Sequence, residues 1–135
     1  MSTGLYATYA VELASAPVIS IEAGTDALAA LRVMHANQIR HLPVFSDGCC
    51  VGLVSETDLL TGLLTRSRGP LPTSGELCHR PSSTVDARAS RTLAAKIMRE
   101  SASDALVVLS DGHVVGVLTA VDLVRSLAQE GVCDD

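Results

Sequence analysis

Aromatic side chains are nearly absent from this sequence of 135 residues: it has no tryptophan, and Tyr6, Tyr9 and Phe45 are its whole supply. Little is left for a stacking platform, so a planar ligand has to rest mainly on aliphatic walls. Positive charge is short as well, because ten Lys and Arg against fifteen Asp and Glu give a formal net charge of −5. With no basic run either, the two partners that need a cationic face, nucleic acid and an anionic membrane surface, are not expected. No apolar stretch reaches the roughly 18 residues that a bilayer crossing requires. No basic residue precedes Arg32 to begin a secretory signal, so a cytoplasmic location is expected.

Motifs that carry chemistry are missing too. There is no nucleophile elbow, P-loop, dinucleotide-binding glycine fingerprint or zinc-protease helix, so neither an enzyme nor a required cofactor is expected. Cys49, Cys50, Cys78 and Cys133 form no C-x-x-C pair, and two adjacent cysteines rarely ligate one tetrahedral zinc, so no metal site is expected and the thiols read as free. The vicinal pair Cys49-Cys50 leaves a redox or metal sensor, with Cys78 or His113, as a minor class of function.

What the sequence does have is a copy of itself. Residues 12–66 lie over 76–130 at a constant offset of 64 without a gap, and sixteen of the 55 positions are identical. Among them are Glu12/Glu76, Pro17/Pro81, Met34/Met98, Ser46-Asp47-Gly48 over Ser110-Asp111-Gly112, Gly52/Gly116, Asp58/Asp122 and Leu59/Leu123. This sets the organisation as an N-terminal segment 1–11, a first repeat 12–66, a breaker-rich linker 67–75, a second repeat 76–130 and a tail 131–135. A half of about 60 residues buries too little surface to stand alone comfortably, so the two are expected to pack around a pseudo-twofold axis with a cleft between them. An apolar share of 47% leaves surface for a second copy to cover, and a homodimer is expected.

Within each repeat the pattern predicts a short helical turn at Glu12-Leu13 or Glu76-Leu77, ended by Pro17 or Pro81. An extended stretch follows, then a helix marked by Ala27, Ala30, Leu31 and Met34 in the first copy and by Ala94, Ala95 and Met98 in the second. Two apolar strands joined by Asp-Gly come next, and Asp-Gly favours the type I′ turn, whose central residues both need positive φ. A closing helix begins after Ser55 and Thr119. Each repeat is therefore a βαββα unit, and the class is α+β.

The segment IRHLPVFSDGCCVGLVSETDLL (residues 39–60), the extended entry PVISI (17–21) and their weaker copies resemble the CBS motif, and a tandem pair of such motifs resembles a Bateman module. The resemblance covers 12–130. It implies two βαββα units with up to two clefts for an adenosine nucleotide, AMP, ADP, ATP or S-adenosylmethionine, in a stand-alone regulator that signals to a separate partner.

The resemblance also nominates residues. Gly52, Ser55 and Asp58 match the pattern whose acid holds the ribose hydroxyls and whose Ser/Thr faces phosphate; Gly116, Thr119 and Asp122 repeat it. An ionised carboxylate accepts from a cis-diol, and a hydroxyl at a helix start suits phosphate. The same Ser/Thr-x-x-Asp is close to a capping box, in which those side chains satisfy only backbone donors. Ser20 and Thr84 take the entry-strand position against the nucleoside. Leu42, Pro43 and Val44, with Leu106 in the copy, take that of the adenine wall, and Pro43 is expected at a strand start or edge because it cannot donate a ladder bond. Arg40 and His41 are placed toward phosphate, or are plain surface residues. In the second repeat Asp104, Ala105 and Val107 replace Arg40, His41 and Pro43, which weakens that site. The alternative function is a ligand-free dimerisation or docking scaffold.

Overall fold

The computed structural model describes residues 9–14 and 18–129; Pro17, Cys133, the tail 131–135 and most of the segment 1–11 lie outside them. A short helix, α1 (Ala10–Leu13), precedes β1 (Ile21–Glu22), α2 (Ala27–Asn37), β2 (His41–Ser46), β3 (Cys49–Ser55) and α3 (Glu56–Thr65). A second short helix, α4 (Ser74–Leu77), precedes β4 (Thr84–Asp86), α5 (Arg91–Ser101), β5 (Ala105–Ser110), β6 (His113–Thr119) and α6 (Ala120–Gln129). Both repeats are thus βαββα, each with a three-stranded sheet in which the first strand runs parallel to the second and the second antiparallel to the third.

Local chemistry sets the boundaries. Asp26 caps α2 by accepting from the Ala29 amide at 2.8 Å, and Ser90 caps α5 by accepting from that of Leu93 at 3.0 Å. Both helices end on a left-handed residue, Gln38 at φ 56° and Ala102 at φ 53°. The hairpins turn on Asp47 and Gly48 (φ 52° and 80°) and on Asp111 and Gly112 (51° and 80°), which are the positive values that the Asp-Gly sequence calls for.

Pro43 lies in the middle strand of its sheet, where the sequence reading expected a strand start or an edge. The second repeat explains why it is tolerated. There Val107, the equivalent residue, donates its N–H to the Ser83 carbonyl at 2.9 Å, and the β4 ladder begins at Thr84. Pro43 has no such hydrogen, and β1 joins the ladder one residue later, at Ile21.

The described residues divide into two compact units, one spanning Ile19–Ser82 and the other joining α1 with residues 83–129. In the first, Met34, Leu42, Val44, Val54 and Leu59 are fully buried, with Leu77 of α4 and Cys78 just after it packed against them. In the second, Leu106, Val108 and Leu118 are fully buried together with Ala10 of α1. The short helix ahead of each repeat in sequence therefore belongs to the unit of the other repeat. Ala10 and Val11 donate their amides to Ala89 and Ala87 (2.9 and 3.0 Å). The breaker-rich linker is stitched to the first unit: the Pro72 carbonyl accepts from Ala27, and the Ser74 and Gly75 amides donate to Thr25 and Ala23.

Candidate functional site

The residues nominated in the first repeat gather at one end of its sheet. His41 opens β2 directly opposite Ser55, the last residue of β3, and Ser20 stands one residue ahead of β1 at the level of Pro43. Ser55 is at once strand end and helix cap. Its hydroxyl oxygen accepts from the Asp58 amide at 3.1 Å, while Asp58 Oδ2 accepts from the Ser55 amide at 2.9 Å. The second repeat reproduces this, with the Thr119 amide 2.8 Å from Asp122 Oδ2 and the Asp122 amide 3.2 Å from Thr119 Oγ1. The capping box foreseen for these residues is present in both copies.

The other carboxylate oxygens are engaged from elsewhere. Asp58 Oδ1 lies 3.0 Å from Nε2 of His79, and Asp122 Oδ1 lies 3.1 Å from Nη1 of Arg125. Facing an ionised carboxylate, the histidine nitrogen is the donor. Sequence reasoning missed both residues. Arg125 was legible, being one helical turn beyond Asp122; His79 was not, because it stands 21 residues from Asp58. It arrives through an isolated antiparallel bridge in which Leu53 and His79 exchange backbone hydrogen bonds of 2.9 and 3.2 Å.

Arg40 reaches the start of α3 twice. Its carbonyl accepts from the Glu56 amide at 2.9 Å, and its Nε lies 3.8 Å from Glu56 Oε1, while His35 Nε2 sits 3.0 Å from Glu56 Oε2. At 3.8 Å the Arg40–Glu56 pair lies beyond hydrogen-bond reach, and with the Arg40 side chain 81% exposed it is weak. In the second repeat the Asp104 carbonyl accepts from Ala120 in the same way. Ser20 and Thr84 are exposed. Leu42, Val44 and Leu106 turn their side chains into the unit cores, and Pro43 is buried as well.

Cys49, Cys50 and Cys78 are free thiols, Cys49 exposed and Cys50 and Cys78 half-buried; Cys49 and Cys50 lie at the hairpin end of β3, away from Ser55. Burial pushes the Cys50 thiol above its ordinary range, against a weaker opposing hydrogen bond to Gly52. Among the described residues no group of three His, Cys, Asp or Glu is placed to hold a metal ion. Nor is any described helix long and apolar enough to cross a membrane.

The family model for the CBS domain matches twice, at residues 10–65 and 75–129. Among solved structures, Hypoxic Response Protein I with two coordinated zinc ions is 28% identical at a TM-score of 0.74, covering 87% of this chain and 98% of that one. CBSX2 in complex with AMP is 24% identical at 0.74, covering 90% and 97%. The CBS domain pair of protein MJ0100, in complex with 5′-methylthioadenosine and S-adenosyl-L-methionine, is 22% identical at 0.81, covering 91% and 98%. A search of curated protein sequences gives no match.

Proposed function

The chain belongs to the CBS domain family, and from that premise we propose that it is a regulatory pair that binds an adenosine nucleotide (AMP, ADP, ATP or S-adenosylmethionine) and signals to a separate protein partner. The observation that carries this reading is the paired geometry of Ser55 with Asp58 and of Thr119 with Asp122 at equivalent sheet ends. The two carboxylates are the ribose-binding groups, and Ser55 and Thr119 stand at helix starts where backbone N–H groups favour phosphate. The adenosine ligands of CBSX2 and of the MJ0100 pair point the same way. Signalling needs no catalytic residue, only tighter binding to one arrangement of the protein than to another.

The first repeat is the stronger site, with Arg40 and His41 leading into β2 and Ser20 alongside. In the second repeat an acid, Asp104, stands where Arg40 would meet phosphate, so Thr84, Thr119 and Asp122 suit an uncharged adenosine-like ligand better. Val121, Val124 and Leu127 on α6 are 62, 65 and 51% exposed, a face that a second copy of the chain would cover in a homodimer.

Titration calorimetry against AMP, ADP, ATP and S-adenosylmethionine tests the reading. Asp58→Asn keeps an oxygen for the Ser55 amide but loses the charge and one acceptor, and should weaken binding about tenfold or more. Unchanged affinity would remove Asp58 from the ribose, and absence of heat with every ligand would favour the scaffold.

A further inference from the structure

The two carboxylates are held alike by unlike donors. In each, Oδ2 accepts from the backbone amide of its own cap, at 2.9 Å for Ser55 and 2.8 Å for Thr119. In each, Oδ1 accepts from a side chain, His79 at 3.0 Å or Arg125 at 3.1 Å. An ionised carboxylate presents about four lone-pair directions, two on each oxygen. One is used on each oxygen, so one remains on each, which is the number that the two hydroxyls of a cis-diol require. Capping and diol binding are therefore compatible uses of the same group. A single tether would leave the carboxylate able to turn about its Cβ–Cγ bond, a torsion with broad preferences. A second tether on the other oxygen fixes the plane.

Resting on the reading of Asp58 and Asp122 as ribose-binding residues, we infer that His79 and Arg125 are positioning residues. They lock the two carboxylates in the plane a ribose diol needs and so set a preference for ribonucleosides over deoxyribonucleosides. The His79 side chain is 77% exposed, while its backbone is fixed independently by the two bonds to Leu53. The backbone thus holds the segment without help from the imidazole's hydrogen bond, which goes to Asp58. The two sites differ in the source of the lock. Arg125 rises from the same helix as Asp122, one turn on, whereas His79 comes from the segment after α4. Displacing that segment would loosen the first carboxylate and leave the second untouched.

The experiment is titration calorimetry with adenosine and 2′-deoxyadenosine on the full chain carrying Asp122→Asn, so that only the first site is read, with His79, His79→Ala and His79→Gln compared. His79→Ala should weaken adenosine about five- to tenfold and change 2′-deoxyadenosine less than about twofold, because only the diol uses the fixed plane. The glutamine amide restores a donor at similar reach and should return adenosine to within about twofold. Equal loss for both nucleosides, no loss for either, or failure of glutamine to rescue would overturn the assignment while leaving the site reading intact. If neither nucleoside binds the His79 protein, the site reading falls and the assignment falls with it.

Discussion

Replacing Gly52 by alanine puts the position of His79 to a direct test. Gly52 lies in β3 opposite Val44, where the segment after α4 crosses the strand. A Cβ built on Gly52 would fall on the His79 carbonyl oxygen and come within 2.8 Å of Cys78 Sγ. A thiol can rotate aside, but a backbone carbonyl cannot, so the segment must move away from the strand. Such overpacking costs about 1–3 kcal/mol. The two backbone bonds between Leu53 and His79 would add about 1 kcal/mol each if lost. The sum, about 3–5 kcal/mol, corresponds to a fall of roughly 10–18 °C in melting temperature for a protein of this size. Thermal unfolding followed by far-ultraviolet circular dichroism measures it, with Gly24→Ala as control, since nothing lies within 4 Å of a Cβ there. A Gly52→Ala protein melting within about 3 °C of the parent would mean that residues 78–80 do not lie on β3, and the link from His79 to Asp58 would go with them.

Two further outcomes follow from single residues. Burial raises the Cys50 pKa, so its thiolate fraction at a given pH is reduced and its alkylation rate should keep climbing past pH 9.0, the ordinary value; at pH 8, peptide mapping should find exposed Cys49 labelled first, and equal labelling would contradict the burial of Cys50. Pro43→Val supplies the donor that Val107 uses in the second repeat, so hydrogen exchange should find a slow amide at position 43, matching that of Val107; a fast one would show that the missing hydrogen is not what shortens β1.

How much of this was open to a reader of the sequence depends on how local the cause is. The Asp-Gly hairpins were legible because the turn demands positive φ at both residues and few dipeptides supply it. The capping boxes were legible because each closes within four residues. Pro43 was misjudged, since the rule that proline avoids central strands holds only where a neighbour needs its hydrogen, and β1 starts just beyond that point. His79 was invisible for a different reason. Its partner lies 21 residues back, and no periodicity or spacing connects a residue after one short helix to the first turn of another. The exchange of α1 and α4 was hidden likewise, because swapping two equivalent helices leaves the spacing of the repeats unchanged.

That exchange bears on the order in which the molecule is made. The unit from Ile19 to Ser82 is a continuous stretch of chain, including the α4 turn that completes its core. It has all its parts once residue 82 has left the ribosome. The other unit needs Ala10, which precedes that stretch, and Leu123, which follows it. Its first helix therefore waits through more than a hundred residues of synthesis for the sheet it belongs to, and the two halves of a symmetric sequence reach the folded state on different schedules.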